Sequence, residues 1–170
     1  MVEVIGFNQT IIRYSGLFDF EALYLAWIEW FKRQEYSFAE KAFKHSGSSG
    51  GAEQELELEG KRNTTEYVQY TIKIKMHSWD VKEVEIVQDG HKKIVYQGRI
   101  EVRFAGNVET DWQKKFEKGT FTKFLKNVYE KYIIRRELGA IHYGNVYSKV
   151  WNLHAITKTF FDMQTKRGEF

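Results

Sequence analysis

The 170-residue chain contains neither cysteine nor proline. Without cysteine there is no disulfide, no thiolate nucleophile and no cysteine-ligated zinc or iron–sulfur centre. Without proline, linkers and recognition tails of the polyproline type are excluded, and turns must come from Gly, Asn, Asp or Ser. Apolar runs are short as well: none approaches the ~20 residues that cross a bilayer. Nor does a basic segment followed by an apolar run and a cleavage site open the sequence. A cytoplasmic location is the expectation. Glycine-rich phosphate loops and the GxSxG nucleophile elbow are missing too, as is any repeat of solenoid or propeller period. No cofactor is expected.

What the chain does have is aromatic side chains, 16% of residues, in an otherwise ordinary mixture of 42% hydrophobic and 29% charged. Its length suits one domain, large enough to bury roughly two thirds of the surface that the unfolded chain exposes. The net charge of +3 is uneven, with −5 over residues 1–60, +3 over 61–120 and +5 over 121–170. The simplest explanation is that the acidic and basic parts lie close together and compensate.

Hydrophobic periodicity assigns the elements. VEVIGFNQTIIRY (2–14) predicts a first strand, open to interruption at Gly6 and Asn8, with Ser15–Gly16 turning the chain. In FDFEALYLAWIEWF (18–31), eleven of fourteen positions are apolar and six are aromatic. Asp19 before this run and Lys32–Arg33 after it supply the charges that helix ends favour, so it is predicted as a helix. Residues 36–44 predict a short strand and HSGSSGG (45–51) a flexible loop. AEQELELEG and TEYVQYTIKIKM both alternate strictly. A hairpin through GKRNTT would therefore set Glu53, Glu55, Glu57 and Glu59 beside Lys73 and Lys75, each cross-strand pair contributing roughly 0.2–1 kcal/mol.

The alternation loses phase at HSWDV, where Trp79 and Val81 leave the parity of Met76 and Val84, which is the mark of a bulge or bend. Gln88–Asp89–Gly90–His91 is a good hairpin turn. The returning strand carries Ile94, Tyr96, Ile100, Val102, Phe104 and Val108 on one parity, with Gly98 and Gly106 where a curved sheet can bend. From Gln113 the spacing becomes helical, through Phe121, Phe124, Leu125, Val128 and Tyr132 to Arg135–Arg136. A final helix from about Asn145 to Met163 offers Val146, Val150, Leu153, Thr157, Phe160 and Phe161 on one face, with Tyr147 and Trp151 beside it. Residues 165–170 are expected to fray.

The expected fold is a single α+β domain over residues 1–170. A curved antiparallel sheet of five to six strands would pack one N-terminal and two C-terminal helices on its apolar face. That element order resembles the helix-grip fold of START-like and polyketide-cyclase-like proteins. The resemblance implies an apolar cavity between sheet and helix, although the aromatic first helix and the second C-terminal helix depart from that pattern.

No catalytic residue and no metal ligand set is assigned. An acid/base pair of His142 or His154 with Asp111 or Glu137 is the weakest reading, because any chain of this size offers such combinations. Glutamates at i, i+2 on a flat strand do not converge on a cation. Nucleic acid is disfavoured as a partner: glutamates lie among Lys73, Lys75, Arg99 and Arg103, and Tyr67 is the one aromatic on the polar parity of its strand. Apolar surface beyond what a two-layer domain must bury points to a non-catalytic interaction or assembly module, a homo-oligomer or a partner of another protein. The alternative is a binder of an apolar small molecule or lipid in a sheet–helix cavity. Both readings assign the pocket or interface to Tyr24, Trp27, Trp30, Phe31, Tyr147 and Trp151.

Overall fold

A computed structural model describes residues 4–6, 9–113, 124, 128 and 141–167. The alternating segments form one antiparallel sheet from β1 (Val4–Gly6), β2 (Thr10–Phe18), β3 (Ser37–Ser48), β4 (Gly51–Asn63), β5 (Val68–Gln88) and β6 (His91–Thr110). Two helices accompany it, α1 (Phe20–Arg33) and α2 (Tyr143–Arg167). Among the described residues there is thus one N-terminal and one C-terminal helix, not the one and two expected. The stretch assigned to the other C-terminal helix, from Gln113 to about Arg136, falls almost wholly outside the described residues, as do residues 168–170 of the expected tail. No helix among the described residues is long and apolar enough to cross a membrane.

Strands β3 to β6 form a meander, and β1 and β2 lie end to end along the remaining edge of β6, giving five strand positions. Residues 7–8, where an interruption was expected, lie outside the described residues. Helix α1 then carries the chain from β2 on one edge to β3 on the other. Four inter-strand steps of ~4.8 Å make roughly 19 Å, and a helix of fourteen residues covers about 21 Å. The helix length matches the sheet width it crosses. Asp19 caps α1 by accepting from the Ala22 N–H at 3.0 Å and pairs with Lys93 of β6.

Strand pairing overrides two turns expected from composition. β2 does not turn at Ser15–Gly16 but stays in register to Phe18 opposite Tyr96. Gly16 sits opposite Gly98, with a φ of 147° that favours glycine. β3 continues through His45–Ser48 in register with Gln54–Gly51, leaving Ser49–Gly50 as the turn where a seven-residue loop was expected. Small polar residues have weak strand preference, but a paired neighbour decides the matter. The glutamate and lysine rows lie directly opposite, Glu59 to Lys73 at 3.2 Å and Glu57 to Lys75 at 3.3 Å.

The slip at HSWDV is a bulge. Register shifts between Trp79 and Lys82, Asp80 adopts a φ of 56°, and a Cβ on Gly98 opposite would lie 2.8 Å from the Trp79 carbonyl oxygen. Beyond the bulge β5 and β6 run on as a two-stranded ribbon, because β4 stops opposite Val81 and β2 stops opposite Tyr96. Its turn is Asp89–Gly90, both at positive φ (51° and 79°), as the sequence predicted. In the ribbon Val95 is buried and Ile94 exposed, the reverse of the expected row. Two-stranded ribbons twist more than broad sheets, and the reversal lies beyond Tyr96, which still packs on Phe18 and Phe20.

The core lies between one face of the sheet and the two helices. α1 contributes Leu23, Trp27, Trp30 and Phe31, and α2 contributes Val146, Val150, Leu153 and Phe161. They meet Leu58, Ile72, Ile74, Val102 and Phe104 of the sheet. The other sheet face carries the charged rows.

Candidate functional site

The six residues assigned from sequence separate into two places. Trp27 and Phe31 are wholly buried and Trp30 nearly so. Trp27 donates its indole N–H to Thr157 Oγ1 at 2.9 Å, and Trp30 donates to Asn152 Oδ1 at 2.8 Å, so both tie α1 to α2. Phe31 lies over Gly60, where an added Cβ would come within 2.3 Å of the ring. Tyr24, half-buried at the rim, donates to Glu40 of β3 at 3.1 Å. Burial first, and then the Glu40 carboxylate, raise its hydroxyl above the usual tyrosine range. These four side chains fill the space over the sheet; a ligand cavity there would have to displace them.

Tyr147 and Trp151 lie on the outward side of α2, 44% and 41% exposed. Residues 146, 150, 153 and 157 point into the core, so the helical period turns 143, 147, 151 and 154 toward the flank of the sheet. The rings follow one another closely: Tyr143 to Tyr147 at 6.2 Å, Tyr147 to Trp151 at 6.0 Å, and Trp151 to His154 at 5.0 Å. Together with Gln9, Thr10 and Ile11 of the β2 edge they line an open hollow of about 410 Å³. His154 closes its floor, edge-on to Phe104 at 5.9 Å. Burial and then Lys158 lower its pKa, and a hydrogen bond with the Ile11 backbone opposes them.

His77 Nε2 lies 2.5 Å from Glu53, and Glu55 stands 3.7 Å from its Nδ1. His142 Nδ1 is bonded to the buried Tyr70 hydroxyl at 2.7 Å. The Tyr36 hydroxyl, with no partner among the described residues, is pushed up to about 12 by burial, against the pull of Arg62. It stays protonated near neutrality. Of the two carboxylates considered with His142 and His154, Asp111 is buried and Glu137 lies outside the described residues. Among the described residues no group of three His, Cys, Asp or Glu side chains is placed to hold a metal ion.

Trp79, placed by the sequence at the phase slip, adds an aromatic to the charged face. In the ladder it stands opposite Arg99 and in phase with Lys73, Lys75 and His77, hence on the charged face of the sheet. The signal was present, because residues 73, 75, 77 and 79 share one parity.

No protein-family model matches the chain, and no curated protein matches it.

Proposed function

We propose that the protein is a non-catalytic interaction module that self-associates through the aromatic face of α2 and the adjoining edge of β2. The observation that carries this reading is the hollow bordered by Tyr147 and Trp151, two large aromatics left accessible beside an edge strand. Trp and Tyr are the side chains that most often anchor protein interfaces. Among the described residues β2 pairs with no strand but β6, and an edge strand of that kind can be met by a second copy about a two-fold axis. A first strand set beside the last, with the C-terminal helix laid across the sheet, is consistent with a helix-grip-like arrangement. The alternative, an apolar ligand held between sheet and helix, has less support because Trp27, Trp30 and Phe31 occupy that space.

Sedimentation velocity from low to high micromolar concentration tests the proposal. A dimer is expected, and the double substitution Tyr147→Ser with Trp151→Ser should raise its dissociation constant at least tenfold, as loss of a central aromatic anchor worth about 2 kcal/mol would. A parent protein that stays monomeric at several hundred micromolar would end the idea.

A further inference from the structure

The face of the sheet opposite the helices is a second surface, independent of the α2 face. Three hollows of about 430, 330 and 270 Å³ lie along it. The first two share Trp79 and Glu101, and the second and third share Lys75 and Arg103, so they form one continuous groove. It follows β6 from Arg99 to Asn107, roughly 26 Å at ~3.3 Å per residue. Six cationic side chains line it (Arg13, Lys44, Lys73, Lys75, Arg99 and Arg103), paired to five carboxylates: Glu101 with both Arg13 and Arg103, Glu55 with Lys44, Glu59 with Lys73, Glu57 with Lys75 and Asp80 with Arg99. The hollow at the Asn107 end has no carboxylate in its lining and ends on two amides, Gln9 and Asn107.

Trp79 stands where the first two hollows meet. His77 stacks on the indole with ring centroids 4.0 Å apart and is itself held by Glu53. The hollow of about 430 Å³ touches Trp79 but not His77, so the indole borders open space there. The arginines around it are held in place by carboxylates. Arg99 bonds Asp80 at 2.6 and 2.9 Å, and Glu101 receives Arg13 at 2.7 Å and Arg103 at 2.6 Å.

We propose that this groove binds single-stranded nucleic acid, with a base stacked on Trp79 and the phosphates tracking the arginine and lysine side chains. A backed aromatic beside a cationic track is the arrangement that sequence-tolerant single-strand binders use. The groove carboxylates and amides suit the exposed edges of unpaired bases, which offer amino donors as well as acceptors. An acidic peptide would need neither the aromatic nor those carboxylates. The pairs Lys44–Glu55 and Arg99–Asp80 are exposed on both sides and exchange one anion for another readily, whereas Glu59 and Glu101 are nearly buried and keep Lys73, Arg13 and Arg103 as fixed partners whose outer faces a phosphate would meet.

Fluorescence anisotropy of a labelled 15-mer oligo-dT and oligo-U, across a salt series, tests it. The expected result is saturable binding whose log K falls linearly with log salt. Trp79→Ala should weaken binding roughly 5- to 150-fold, the equivalent of ~1–3 kcal/mol per stacked base, and Trp79→Phe should retain most of it. Arg103→Gln should lower the salt slope by about one. Unchanged far-UV circular dichroism identifies variants that still fold. No anisotropy change at low salt would overturn the proposal. So would binding that Trp79→Ala leaves unchanged and that duplex or poly-glutamate competes for equally well.

Discussion

The Trp27 indole has one polar atom, and its position decides how α1 meets α2. Its N–H reaches Thr157 Oγ1, which in turn donates to the Leu153 carbonyl, all of it inaccessible to water. Thr157→Val keeps the volume but removes the acceptor and strands a buried N–H. The expected loss is about 1–3 kcal/mol of stability, measured by urea denaturation. A loss below ~0.5 kcal/mol would mean that the indole finds another acceptor. The helical period of α2 put Thr157 on the core stripe with Val146, Val150 and Leu153, and the structure agrees. No sequence pattern could pair it with Trp27, 130 residues away.

Among the elements, α1 shows how a local signal and a distant one combine at the same side chain. Asp19 is legible in the sequence as an N-cap, and it does accept from the Ala22 N–H. Its ion pair with Lys93 depends on the sheet order and is not legible. Asp19→Ala removes both and should cost about 0.5–2 kcal/mol through the cap alone. Asp19→Asn keeps the cap and removes the charge, so its loss should be the smaller. Equal losses in thermal or urea denaturation would show that the ion pair, rather than the cap, carries the effect. Elsewhere local propensity was the poorer guide. Ser15–Gly16 and HSGSSGG look like turn and loop, yet both lie largely in ladders because β6 and β4 offer them partners.

For the whole molecule, the titrating groups predict loss of stability in acid. The pKa of His154 is lowered in the folded state, so in its titration range the unfolded chain binds more protons. Its contribution is complete above the unfolded value of about 6.5 and is lost as pH falls through the folded value. Hydrogen bonds from Arg13 and then Arg103 hold Glu101 below the usual carboxylate range, despite opposing desolvation. Burial would raise Glu59, but Lys73, Lys61 and Lys41 together bring it below that range too. Both contributions are present above about pH 4.3 and are lost as pH falls further. The melting temperature should therefore decline in two stages on acidification, and His154→Gln should flatten the first while leaving the second. A single decline unaffected by that substitution would remove His154 from the account.

Composition and periodicity were enough to establish an α+β chain with an antiparallel sheet, a capped aromatic helix, a bulge near Trp79 and a core stripe on the last helix. Each of these follows from interactions between residues close in sequence, where the period of 2 or 3.6 is written directly in the chain. The tertiary structure decided what adjacency in space decides: that Trp27, Trp30 and Phe31 are packing, and that Tyr147 and Trp151 remain accessible. Burial and accessibility are properties of the whole packed arrangement, and no local pattern contains them.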